Sequence, residues 1–248
     1  MGAALTSMHA KMMTSVRRHL QIALSVGLGC AVAWAQQTPA ANASGQLNAT
    51  LASMDAASSK FRTTEASFEW IQFETAINDV IDTQKGEIYF RRTGNQIEMA
   101  ADVSDPKPPK YVLFADDKIE LYETGINRVT VHNAAKNREE FETFLVLGFG
   151  GSGRDLVKSF DVSYRGTEKI GEITADVLDL VPKSQKVRNN ISHITLWIDP
   201  ARGISIQQKM YESDGYRLAK YFDIAINKSL PEGVFKLKTN SKTETLTQ

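Results

Sequence analysis

The spacing of apolar residues along the chain predicts one helix followed by a long series of strands. Between Leu47 and Phe61 the large apolar residues recur three, four or seven positions apart, which places them on one face of a helix. After Arg62 apolar and polar residues alternate, as they do in strands that bury one face. This alternation is found in Ala66–Trp70, Ile88–Phe90, Ile97–Met99, Ile119–Leu121, Val129–Val131 and Ile194–Ile198, and again from Ile204 to Ile226.

Short turns separate these runs and indicate how the strands are connected. Thr93-Gly94-Asn95, Asp116-Asp117 and Asp214-Gly215 are residues typical of hairpin turns. Because no long crossover is visible, we expect an antiparallel sheet of about ten or eleven strands, which must curl or be covered. The expected fold class is therefore α+β, mainly β: an unclosed antiparallel β-barrel with helices covering its concave face.

A helical insert interrupts the strand pattern at residues 137–160. Asn137 is a helix-capping residue, and Phe141, Phe144 and Leu145 then fall on one face. A glycine-rich stretch comes next, and Ser152 repeats the capping spacing ahead of a second apolar run. We expect two short helices joined by a glycine hinge, whose residues are Gly148, Gly150, Gly151 and Gly153.

The first 35 residues have the features of a secretory signal peptide. They carry three basic residues and no acid, and a short apolar run ends at Ala33-Trp34-Ala35. We expect export to the periplasm with cleavage after Ala35; the alternatives are a membrane anchor or lipidation at Cys30. The remainder divides into a flexible leader at residues 36–45, one domain at 46–240 and a polar tail at 241–248.

Composition narrows the classes of function. Among 248 residues, 42% are hydrophobic and 23% charged, as in a folded domain, and the formal net charge is +0. Removal of residues 1–35 takes away three basic residues and leaves a net charge of −3. The chain therefore lacks the excess of basic residues that is typical of nucleic-acid-binding proteins. The remaining chain has no cysteine, which excludes disulfides and thiolate metal sites.

Candidate catalytic groups are few and isolated. His132 and His193 lie on the polar sides of predicted strands, and Asp116-Asp117 belongs to a turn. Gly148–Gly153 matches G-x-G-x-x-G but does not come after a strand within a βαβ unit, so a hinge is the better interpretation. We expect no catalytic residue, metal or cofactor, and a protein that is not an enzyme.

The order of these segments resembles the periplasmic lipoprotein-carrier family that includes LolA. The likeness is carried by the first helix, Lys85–Arg92, Thr93–Asn95, Leu113–Lys118, Ile119–Tyr122, Leu180–Lys183, Ile194–Ile198 and Leu230–Phe235. The resemblance implies a monomer that ferries acylated lipoproteins from an inner-membrane donor complex to an outer-membrane acceptor. The family has a proline before the turn glycine and then an arginine that holds the lid; here Thr93 and Ile97 stand at those positions.

The apolar face of the sheet is the expected ligand site. A cavity there would bind acyl chains, with the helix of Phe141, Phe144 and Leu145 as its lid. The expected lining residues are Phe68, Trp70, Ile88, Phe90, Met99, Phe114, Leu121, Leu196 and Ile206. The alternatives are a sensor or envelope-regulatory protein on the same fold, a structural protein with a solid core, and an enzyme.

Overall fold

The computed structural model describes residues 39–94, 96–133, 147 and 149–247. The expected signal peptide and the three lid residues lie outside this part of the chain. The helices with described bounds are α1 (Pro39–Lys60), α2 (Gly153–Ser159) and α3 (Gln185–Arg188). The strands are β1 (Thr63–Glu74), β2 (Asp79–Thr93), β3 (Gln96–Asp105), β4 (Lys110–Ala115), β5 (Lys118–Glu123), β6 (Arg128–Asn133), β7 (Phe160–Ile170), β8 (Ile173–Pro182), β9 (Ile191–Asp199), β10 (Ile204–Glu212), β11 (Gly215–Ile226) and β12 (Glu244–Thr247).

All the described strands belong to one sheet. Their order is β12-β6-β5-β4-β3-β2-β1-β11-β10-β9-β8-β7, so β12 and β7 are its two edges and the sheet is unclosed. Every neighbouring pair is antiparallel except β12 and β6. The expected fold class is confirmed. The sheet has more strands than expected because the segment 241–248, expected to be a polar tail, contains β12.

Tight turns fix the register of the hairpins. Asp116 and Asp117 both have positive φ, at 49° and 57°, between β4 and β5. Two consecutive left-handed residues are characteristic of the type I′ turn, whose twist matches that of the strands it joins. The turn interpretation of this acidic pair is therefore confirmed.

Helix α1 covers part of one sheet face, which we call the inner face. Leu47 and Leu51 are half-buried and pack against core residues, while Met54 and Phe61 are each 3% exposed. The helical face expected from the spacing of these residues is thus the buried one. The helix begins at Pro39, however, inside the segment expected to be a flexible leader. No described helix is both long enough and apolar enough to cross a membrane.

Two apolar clusters form the core under α1. The first joins Met54 to the inner faces of β8 and β9, including Leu178, Leu180 and Leu196, which are fully buried. The second joins Phe61 to β1, β2 and β3. The burial of these side chains is the main stabilising contribution to the docking of the helix.

A buried carboxylate connects α1 to β8. Asp176 is 3% exposed and accepts hydrogen bonds from Thr50 Oγ1 at 2.7 Å and from the Tyr164 hydroxyl at 3.1 Å. Burial, with the Asp176 carboxylate as the next cause, raises the pKa of Tyr164 to about 12, so Tyr164 remains a donor at neutral pH. Hydrogen bonds from neutral donors thus compensate for burying Asp176.

Helix α2 begins with the expected capping residue. The Ser152 side chain accepts from the Asp155 backbone N–H at 3.1 Å and donates to Asp155 Oδ2 at 2.6 Å. A serine at this position satisfies an N–H group that has no partner inside the helix.

The turn between β9 and β10 gives a test of how closely α1 is docked. Gly203 has φ +65°, and a Cβ there would lie 2.3 Å from the Ser53 carbonyl oxygen of α1. Gly171 has a similar φ of +59°, with nothing within 4 Å of the same position. We expect Gly171→Ala to lower the free energy of unfolding by about 1 kcal/mol through backbone strain alone. Gly203→Ala should lower the free energy of unfolding by about 1–3 kcal/mol more than Gly171→Ala does, because α1 must move to make room for the new methyl group.

Urea denaturation of the two variants measures this difference. Equal losses of stability would contradict the close approach of α1 to this turn.

Candidate functional site

A cavity of about 520 Å³ lies on the inner face of the sheet, where residues of β1 to β5, β10 and β11 line it. Its volume is within the range of about 300–1,000 Å³ that is typical of small-molecule sites. The cavity therefore offers room for a ligand beside the part of the sheet that α1 covers.

The floor of the cavity is apolar. Of the nine residues expected to line it, five do so: Trp70, Ile88, Phe90, Met99 and Phe114. Val112, Ile119, Met210 and Ala219 add to this surface and were not expected to line it. Leu218 borders the cavity as well, although it alternates with Arg217 and Ala219 in β11. Ile119, Met210 and Ala219 lie in strands whose alternation was recognised, whereas no alternation was predicted for the strand of Val112. Only the pairing of these strands brings the four residues together.

Four of the expected lining residues lie elsewhere. Phe68 is 2% exposed in the core and stacks on Trp70, with ring centroids 4.1 Å apart. Leu121 pairs with Val112 and shares its face, but the β5 residue that reaches the cavity is Ile119. Leu196 is fully buried in the cluster beneath α1.

Ile206 is excluded from the cavity by a bulge. The pairing of β10 with β9 shifts between Ser205 and Gln207. As a result Ile206 packs in a separate cluster with Val177 and Trp197. Strict alternation through β10 gave the wrong face, because an extra residue in a strand reverses the direction of the side chains on either side of it.

Polar side chains gather at one end of the cavity. Gln72 pairs with Asp82 on one side and with Arg217 on the other, and all three line the cavity. Gln84 Nε2 donates to Asp82 Oδ2 at 2.5 Å, and Arg217 Nε lies 3.2 Å from Glu212 Oε1. We call Gln72, Asp82, Gln84 and Arg217 the polar rim. A polar rim beside an apolar floor matches a ligand that has a polar head and an apolar tail.

A second polar contact lies where the cavity meets the core. Gln208 Nε2 donates to the Tyr221 hydroxyl at 3.0 Å and to the Leu147 carbonyl at 3.4 Å. Burial raises the pKa of Tyr221, so its hydroxyl is neutral at physiological pH. Phe149 packs edge-on against Phe90 and Tyr221, with ring centroids 5.3 Å and 5.1 Å away. Phe149 thus contacts two residues that line the cavity.

The segment after Phe149 is fixed to both α1 and β2. The Gly150 carbonyl accepts from Ser58 Oγ at 2.6 Å and from Arg92 Nη2 at 2.9 Å. Gly150 has φ +90°, and a Cβ there would lie 2.6 Å from Cδ1 of Phe61. No larger residue fits without displacing that ring. We call residues 149–153 the anchored segment.

The remaining glycines of the expected hinge also meet α1. Gly151 and Gly153 are buried, and a Cβ on Gly153 would lie 2.5 Å from the Leu51 carbonyl oxygen. Gly148 lies outside the described residues. These glycines thus allow close packing in this structure; hinge motion at this position stays a prediction.

Arg92 is the functional candidate that the sequence did not reveal. It holds the anchored segment, and its guanidinium carbon lies 5.7 Å from the centre of the Phe61 ring. The resemblance placed the expected arginine at Ile97, which instead packs against the core. Arg91 and Arg92 are consecutive basic residues in the sequence. The sequence alone therefore gave no reason to expect different contacts for the two side chains.

The polar candidates of the sequence do not form a catalytic group. His132 is exposed, and the ring of His193 stacks on Tyr211 at 3.9 Å. Within the described ranges, no three His, Cys, Asp or Glu side chains are arranged to hold a metal ion.

No protein-family model and no curated protein matches the chain. Among solved structures, an uncharacterised conserved protein from Thermus thermophilus aligns with 82% of this chain and 99% of its own, at 9% identity and a TM-score of 0.53. Lipoprotein LppX from Mycobacterium tuberculosis aligns with 75% of this chain and 98% of its own, at 12% identity and a TM-score of 0.47. An outer membrane lipoprotein-sorting protein domain from Vibrio parahaemolyticus aligns with 79% of this chain and 97% of its own. The identity is 13% and the TM-score is 0.43.

These similarities concern the fold. The likeness to the Thermus thermophilus protein shows a shared fold. The unclosed antiparallel sheet is the architecture that the resemblance predicted.

The two adjacent arginines of β2 provide a matched test of the anchored segment. Arg91 Nε pairs with Glu98, and its guanidinium carbon lies 4.1 Å from the centre of the Phe235 ring. We expect Arg92→Ala to accelerate amide hydrogen exchange in residues 149–153, because the Gly150 carbonyl loses a charged donor. Arg91→Ala should leave that exchange unchanged. Equal protection in both variants would contradict the anchoring role of Arg92.

Proposed function

We propose that this chain is a periplasmic carrier that binds the acyl chains of lipoproteins, or similar lipids, in the inner-face cavity and transfers them toward the outer membrane. The observation that carries the proposal is a cavity of about 520 Å³ with an apolar floor and a polar rim at one end. Such a site suits an amphiphile, whose tail lies on the floor and whose head reaches the rim.

The energetics favour a hydrocarbon guest. Each buried CH₂ contributes about 0.8 kcal/mol, so a chain of about 16 carbons gains up to roughly 12 kcal/mol on complete burial. Ordering of the chain and hydration of the cavity subtract from this upper value. A carrier with this surface can thus hold a chain in an aqueous compartment and still release it.

The lining residues suit binding more than chemistry. They include no serine, cysteine or histidine, and the only charged groups among them are Asp82 and Arg217. We therefore propose binding without turnover, by a monomer that takes its cargo from an inner-membrane donor and passes it to an outer-membrane acceptor. Structural neighbours include a lipoprotein and a lipoprotein-sorting domain, which is in keeping with this cargo.

A cavity-filling variant tests the proposal. Val112 lines the cavity, whereas Val157 on α2 is 40% exposed. Val112→Trp should weaken the binding of a fluorescent fatty acid about tenfold or more, because the indole takes the place of at least two methylenes of the guest, at about 0.8 kcal/mol each. Val157→Trp is the same substitution on the surface and should bind as the wild type does.

Quenching of Trp70 locates the guest. A fatty acid brominated along its chain should quench the fluorescence of Trp70 in a Trp197→Phe background, since Trp70 lines the cavity and Trp197 does not. Thermal unfolding of each variant verifies that it is folded. Binding that is equal in both Val→Trp variants, or a bound guest that leaves Trp70 unquenched, would contradict the carrier proposal.

A further inference from the structure

Exposed apolar side chains cluster on one hairpin. Ile77 is 61% exposed, and Val80 and Ile81 are each 45% exposed. These three, of seven large apolar residues exposed in the described part of the chain, lie in or beside the turn that joins β1 to β2. Single exposed apolar residues are common, but a contiguous group marks a surface that meets something else.

A row of side chains continues this patch across five strands. Val80, Phe73, Tyr216, Tyr211 and His193 are successive partners in the sheet register, and directly paired residues share a face. Their ring centroids are 4.8 Å apart for Phe73 and Tyr216, 6.4 Å for Tyr216 and Tyr211, and 3.9 Å for Tyr211 and His193. We call this row, with the two isoleucines of the hairpin, the tip surface.

The tip surface is separate from the cavity and adjoins its rim. Phe73 comes directly after Gln72 in β1, and Tyr216 precedes Arg217 in β11. Gln72 and Arg217 line the cavity, and successive side chains of a strand point to opposite faces. The row therefore lies on the outer face, directly behind the polar rim.

The charges around the tip surface are mainly negative. Within the described residues, Glu74, Asp79 and Asp214 have no ion-pair partner, whereas Glu212 is paired with Arg217. A cation is already held on the rings, since Lys209 Nζ lies 3.7 Å from the centre of the Tyr216 ring. Unpaired carboxylates beside aromatic faces attract basic groups and repel anionic lipid headgroups.

We propose that the tip surface is a docking site for a segment of a partner protein that presents basic side chains beside apolar anchors. The apolar anchors would cover Ile77 and its neighbours, and the basic groups would meet the carboxylates of Glu74, Asp79 and Asp214. This inference does not depend on what the cavity binds, because no residue of the tip surface lines the cavity.

Two synthetic peptides test the proposal on the exported protein. One is an amphipathic peptide of leucine and lysine, and the other has glutamate in place of each lysine. We expect the lysine peptide to bind and the glutamate peptide not to bind. Ile77→Ser should weaken the binding of the lysine peptide about tenfold or more, and so should the pair Glu74→Gln and Asp79→Asn, with added salt weakening it further.

A matched control comes from another exposed apolar residue of the same sheet. Phe222 in β11 is 48% exposed, and Phe222→Ser should leave peptide binding unchanged. Equal binding of the two peptides, or of the Ile77 and Phe222 variants, would overturn the proposal. So would binding that depends on Ile77 but is made to phosphatidylglycerol vesicles, or to a second copy of the chain as measured by sedimentation. Each serine variant is first compared with the wild type in thermal unfolding, and fatty-acid binding by Ile77→Ser reports on the cavity separately.

Discussion

Partial coverage of one apolar face is the constraint on which the rest of this structure depends. Helix α1 places Met54 on the inner faces of β8 and β9, and Phe61, the residue that follows the helix, packs in the β1 to β3 cluster. A sheet whose inner face is apolar must have that face covered, and one helix is too narrow to cover every strand. The part that α1 leaves uncovered, around Met99, Val112 and Ile119, borders the cavity. The cavity therefore lies where the sheet extends beyond helix α1.

Prediction from the sequence succeeded where a feature depends on the repeat of apolar residues along the chain. It failed where a feature depends on how the strands pair. Alternation identified Trp70, Ile88 and Phe90 as residues of one apolar face, and they line the cavity. Alternation could not locate the bulge that turns Ile206 outward, since the extra residue appears only when β10 is paired with β9. Nor could it separate Leu196, buried under α1, from residues of the same face that the helix leaves uncovered.

The two proposed sites share the same strands, which has a mechanical consequence. Gln72 and Phe73 are neighbours in β1, one on the rim of the cavity and the other in the tip surface. A partner bound to the outer face would contact the same strands whose inner side chains form the polar rim. Any coupling between docking at the tip surface and occupancy of the cavity would pass through these shared strands, and it would act in both directions.

If a guest displaces the anchored segment, as the predicted hinge requires, the contacts of Gly150 set part of the free energy that the guest must supply. The Gly150 carbonyl receives one neutral and one charged hydrogen bond, worth together about 2–4 kcal/mol in net stability. Complete burial of an acyl chain is worth up to roughly 12 kcal/mol, so a guest could release this contact and keep a favourable balance. The contact is made to a backbone oxygen, and its strength is therefore set by Ser58 and Arg92 rather than by the side chain at position 150. Substitution of these two donors should change the ease of opening without changing the surface that the guest contacts.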